Sequence, residues 1–164
     1  MLTVWVEKFC IGGCIQVNNY PEWWDKTITV YNRYEDPQTH VISWFRHVLD
    51  KCFYKDVGNT VNINNVQLET NNIICRIPIK DNYLAPYEWN ALSNDAKPNY
   101  FTLKQDDIIV LGEVDDVIDE YTTGSRSTDL KKKYKALQGC LEIQQVGNNT
   151  GTGLGNEHYH VNGI

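Results

Sequence analysis

The sequence predicts a mainly β fold: a single β-barrel-like domain with long loops and one packed α-helix over about residues 127–138. Segments of alternating apolar and polar residues recur along the chain, and one stretch joins a helical stripe to capping residues at both ends. Ten tyrosines and five tryptophans add residue types that favour pleated, half-buried surfaces and protein–protein contacts. The stretch YFTLKQDDIIVLGEVDDVI, residues 100–118, organises the rest. It reads as a hairpin: Phe101 and Leu103 lead in, Lys104-Gln105-Asp106-Asp107 makes a polar turn, and Ile108 to Leu111 resumes the apolar run. That second run is apolar at every position, as expected of a strand covered on both faces. Gly112 then interrupts it, and Glu113 to Ile118 continues in a changed phase, which implies a bulge or barrel corner.

Taken in order, residues 1–26 form an N-terminal arm or extra hairpin, with apolar runs at Leu2 to Val6 and Phe9 to Val17 around Gly12-Gly13. Trp23 and Trp24 end this arm. They either dock on a neighbouring subunit or pack on the domain's own core. The barrel-like domain itself spans residues 27–164. Thr27 to Tyr34 alternates with period two and is the clearest strand, closed by Glu35-Asp36-Pro37. Val41 to His47 and Val48 to Asp56 supply a second pair of β-like runs, although Val41, Trp44, Phe45 and Val48 also stand at helical spacing. Gly58 to Asn65 reads as a turn-rich link.

Asn72 to Ile79 is the next strand, with Ile73, Cys75, Ile77 and Ile79 on one face and Pro78 at a sheet edge. Residues 80–99 are an excursion in which Tyr87 to Leu92, including Trp89, suits a helical turn or two; such a long loop is usually functional or a contact surface. The helix follows at Ser127 to Gln138. Leu130, Tyr134 and Leu137 give its stripe, Ser127 or Thr128 caps its start, and Gly139 lies just past its end. Cys140 to Val146 returns to strand. Residues 147–156 make a Gly/Asn-rich loop, and His158 to Asn162 makes the last strand.

Charge and composition exclude several classes. A net charge of −6 leaves no footprint for phosphate contacts, and Lys131, Lys132, Lys133 and Lys135 read as the solvated face of the helix. No apolar run approaches the roughly 20 residues of a membrane span. The first residues lack the basic start of a signal peptide, so a soluble cytoplasmic product is expected. Five scattered cysteines argue for buried reduced thiols rather than a disulfide framework.

No catalytic, cofactor-binding or metal-ligating residue is assigned. Gly151, Gly153 and Gly155 resemble a phosphate cradle only superficially, since a strand rather than a helix follows. His158 and His160 share a strand face but want further ligands, and a buried Cys52 near His47 is more often structural than nucleophilic. Glu113, Asp115, Asp116, Asp119 and Glu120 read as an exposed acidic rim rather than a carboxylate site. The residues expected to make contacts are Trp23, Trp24, Tyr87, Trp89, Asn149, Thr150, Gly151, Leu154, His158 and His160.

The order of segments supplies the remaining clue. ITVYNRY from Ile28, IICRIPI from Ile73, YFTL from Tyr100 with DIIVLGEV from Asp107, the helix around Leu130 to Tyr134, and the closing HYHVNG from His158 together resemble an uncharacterised family encoded by tailed phages and prophages of Firmicutes. The family usually has Gly where this chain has Asp106, a residue that tolerates the left-handed conformation. The resemblance covers about Thr27 to Ile164. It implies a structural virion protein similar to the stopper at the head–tail junction. Such a protein works as a homo-oligomeric ring beside portal, adaptor and tail proteins, with packaged DNA passing through the lumen. Rival posts are a tail terminator or a minor capsid or decoration protein; a metal-binding or thiol enzyme is the more distant rival.

Overall fold

The computed structural model describes residues 20–63, 66–137, 139–151 and 156–164. Six antiparallel strands close into a barrel in the order β1-β2-β3-β6-β5-β4. They are β1 Lys26–Glu35, β2 Ile42–Ile63, β3 Val66–Pro78, β4 Ile108–Leu111, β5 Cys140–Asn149 and β6 His158–Gly163. β4 closes the ring by pairing β1 on one side and β5 on the other.

Alternation explains the core. Ile28 and Val30 of β1, Ile73, Cys75 and Ile77 of β3, Ile109 of β4, Leu141 and Ile143 of β5, and Tyr159 and Val161 of β6 fill the barrel. The other face of β4, Ile108 and Val110, meets Leu130 and Tyr134 of helix α2, Ser127–Leu137. β4 is thus covered on both sides, which is why its four residues are all apolar.

Several expectations are corrected. The segment before β4 is not a strand: Phe101 makes one isolated parallel bridge with Tyr83, and Leu103 belongs to no strand. Both edges of β4 are already taken by β1 and β5, so residues 101–103 instead bury Phe101 and Leu103 in the core. The turn itself matches, with Asp106 at φ 69°. Beyond β4 the chain leaves the sheet at Gly112 (φ 92°), and residues 113–120 form a strap that buries Val114 and Ile118. Thr29 holds its start, accepting from the Val114 N–H at 3.1 Å and donating to the Gly112 carbonyl at 2.8 Å.

The two runs read between Val41 and Asp56, and the link after them, are one 22-residue strand. An extra residue around Lys51 (φ 58°) shifts its phase, so that Leu49 and then Cys52 point inward. Gly58 to Ile63 is strand because β3 supplies its hydrogen-bond partners, overriding Asn-rich turn chemistry. Likewise Gly147, Asn148 and Asn149 pair with His160, Tyr159 and His158 rather than forming loop.

Helix α2 starts as expected but is capped differently. Arg126 occupies the cap position, and Asp129 reaches back to accept from its N–H at 3.2 Å. Leu137 is 68% exposed, so the buried stripe consists of Leu130 and Tyr134. The excursion of residues 80–99 is largely a plug. Its helix α1, Pro86–Ala91, buries Trp89 completely against Tyr34 and Phe45, and Tyr83 stacks on Tyr159 at 4.1 Å.

Candidate contact surface

Four of the residues expected to make contacts, drawn from three separate segments, meet on the outside of the barrel. Pro21 to Trp24 form a turn, closed by the Trp24 N–H on the Pro21 carbonyl at 3.0 Å, just before β1. Trp24 lies beneath: it is 5% exposed, stacks on Tyr20 at 5.3 Å and meets His158 edge-on at 5.2 Å. Trp23 stays 54% exposed, with its ring edge-on to Phe53 at 5.1 Å. Asn149 sits 3.2 Å from Nε2 of His158.

Strand register builds the floor. Phe53 pairs with Arg76, and Arg76 with His160, so these three form one row across β2, β3 and β6. The Arg76 guanidinium lies 5.4 Å from the Phe53 ring centroid. Tyr20 anchors the approach, donating to the Glu157 carbonyl at 2.6 Å and accepting from the Ile79 N–H at 3.2 Å. Beside it opens a cleft of about 670 Å³ lined by Tyr20, Glu22, Trp24, Lys51, Ile79 and Lys80 among others. Tryptophan and arginine in one partly exposed patch are the residue types that dominate binding energy at protein interfaces. Phe53, Arg76 and Tyr20 were missed in the sequence, because nothing local announces which outward residues a barrel will align.

The remaining candidates divide. Tyr87 is 75% exposed on α1, whereas Trp89 is buried and donates Nε1–H to the Tyr100 carbonyl at 2.7 Å, so it has no surface to offer a partner. Trp24 is likewise spent on its own domain. Thr150 and Gly151 are held at the tip of β5, the first by Asn148 and the second by Glu157. Leu154 lies outside the described residues, as does the arm before Tyr20.

Reactive chemistry finds little footing. His158 uses both ring nitrogens, Nδ1 toward the Asn156 carbonyl at 2.9 Å and Nε2 toward Asn149. Among the described residues no three His, Cys, Asp or Glu side chains gather as metal ligands. Burial pushes the Cys52 thiol up to about 12 and the His47 imidazole down to about 4. His47 Nε2 is buried without a hydrogen-bond partner, and the Cys52 thiol faces the Leu49 carbonyl at 3.8 Å.

The densest polar cluster is structural. Asp107 is fully buried and accepts from the Arg33 N–H and from Asn32 Nδ2, each at 2.8 Å, and from the Lys104 N–H and Nζ at 3.1 and 2.9 Å. Burial raises its pKa against the lowering pull of Lys104. Lys97 is buried too, its ammonium 4.0 Å from the Tyr34 ring centroid and donating to the Leu92 carbonyl. The acidic strap is equally committed: Asp115 pairs with Arg46 at 2.8 Å, Asp116 with Lys133 at 2.7 Å, and Glu120 accepts from Trp44 Nε1 at 2.9 Å.

A model of a family of unknown function, DUF6751, matches residues 23–164. The chain belongs to DUF6751. The DUF6751 match begins at Trp23, the exposed ring of the patch, and takes in every strand of the barrel. No curated protein and no solved structure matches the chain.

Proposed function

We propose that this DUF6751 chain is a structural virion protein of a tailed phage: a stopper-like ring subunit that joins head to tail and retains packaged DNA. The observation that carries this reading is the aromatic patch of Trp23, Phe53, Arg76 and His158, a protein-contact surface mounted on a rigid closed barrel. The resemblance of the Asp107 and His158 segments to the phage family supplies the kind of assembly. Copies of the chain and the neighbouring portal, adaptor and tail proteins are then the partners, met in the host cytoplasm during assembly and retained in the virion neck. Net charge of −6 suits a subunit that lets DNA pass without holding it.

Mass spectrometry of purified virions beside DNA-filled tailless heads tests this. The chain at a few to a dozen copies in both is the expected result. Its presence in virions alone assigns it to the tail, and absence from all particles overturns the reading.

A further inference from the structure

Past the barrel, β2 and β3 continue together without a third strand. β1 pairs with β2 no further than Cys52, and β6 pairs with β3 no further than Ile73. Yet β2 and β3 remain paired from Val57↔Asn72 to Ile63↔Val66. Among the described residues this ribbon therefore has two strand edges that no strand covers. A lone two-stranded ribbon is marginal in water, and proteins usually guard open edges with lysine, proline or a bulge. Here Val57 to Asn72 contains neither lysine nor proline, and Glu69 is its single charged residue. In register, Val57, Asn59, Val61 and Ile63 stand opposite Asn72, Thr70, Leu68 and Val66, while the alternate positions hold Gly58, Thr60, Asn62, Gln67, Glu69 and Asn71.

We propose that the ribbon pairs edge to edge with the ribbon of a second copy, the β3 edge of one subunit against the β2 edge of the next. Three points select a copy of this chain as the occupant. An acidic chain of net charge −6 repels its copies least where charge is nearly absent, and the ribbon is such a place. Neighbouring ribbons related by rotation about an axis along their length present antiparallel edges, the arrangement these strands already use within the subunit. Repeating that contact around the axis closes a composite sheet and leaves no edge open. The inference deepens the ring-subunit reading, on which the closure rests; the copy-to-copy contact stands on the ribbon itself.

Light scattering coupled to size exclusion, run on the full chain over a wide concentration range, is the test. Wild type is expected at multiples of 19.0 kDa. Val61→Lys with Leu68→Lys is expected to weaken association at least tenfold with an unchanged circular-dichroism spectrum. A second variant replaces residues 59–70 by Asn-Gly, joining Gly58 to its partner Asn71, and is expected to be a folded monomer. A wild-type monomer at every concentration overturns the proposal and assigns the ribbon edges to another occupant, residues 1–19 or a different protein. Multimers that persist in both variants overturn it as well. Failure of the virion reading shows separately, as a chain that associates through its ribbon yet is absent from particles.

Discussion

Gly163 and Gly58 both lie in strands of this molecule, and their surroundings are opposite. A Cβ on Gly163 would stand 2.3 Å from the Glu142 carbonyl oxygen and 2.7 Å from Leu141, whereas one on Gly58 would meet nothing within 4 Å among the described residues. The first glycine is where β6 closes the barrel between β3 and β5. The second is at the root of the β2–β3 ribbon. The contrast teaches that the fold keeps its tightest packing in the closure of the barrel, while the root of the ribbon is free of such packing among the described residues.

Gly163→Ala is accordingly expected to have the largest effect. The Glu142 carbonyl it strikes is itself held by the Ile164 N–H at 3.3 Å, and the Ile164 carbonyl accepts from the Glu142 N–H at 2.9 Å, so neither backbone can retreat. A loss of more than about 4 kcal/mol, or failure to fold, is expected in urea unfolding. A variant with wild-type stability would show that β6 sits further from β5 and would dissolve the contrast.

Asp107→Ala attacks the same rigid region from its polar side. It removes the acceptor shared by Asn32, the Arg33 N–H and Lys104, leaving buried donors unpaired at a cost of about 3–5 kcal/mol. An equilibrium midpoint unchanged by the substitution would mean that the cluster is not desolvated.

Acid reaches the closed barrel through His47. Burial holds its folded pKa at about 4, below the unfolded value near 6.5, so the unfolded chain binds more protons between those limits. Its stabilising contribution is complete above pH 6.5 and is lost as pH falls toward 4, roughly 3 kcal/mol in all. His47→Leu is expected to abolish that component, because the leucine fills the site beside Phe101 and leaves no unpaired Nε2. Identical pH profiles of stability for wild type and variant would refute the assignment.

What could be read in advance follows the same division. Alternation in Ile28 to Tyr31, the double-sided run Ile108 to Leu111 and the shared face of His158 and His160 were legible, because each follows from strand periodicity and burial, while the left-handed Asp106 was legible from the glycine that the resembling family has there. The strand beyond Gly58 was not, since its Asn-rich residues favour turns until β3 pairs with them. Nor was the Asp107 cluster. Asp107 reads as turn chemistry, and its partner Asn32 lies 75 residues away. The candidate contact surface was half legible: Trp23, Trp24 and His158 stood out by type, while Phe53 and Arg76 joined them only through barrel register.

The smallest effect is the most direct probe of the open side. Gly58 is not among the glycines with positive φ, and among the described residues nothing lies within 4 Å of a Cβ built on it. Gly58→Ala therefore removes conformational freedom from the unfolded chain without meeting a neighbour, and is expected to raise stability by about 0.4–1 kcal/mol. Urea unfolding at a concentration where the chain is monomeric measures this. A loss of about 2 kcal/mol instead would mean that something packs on the root of the ribbon within the subunit, and the comparison with Gly163 would then be one between two buried glycines.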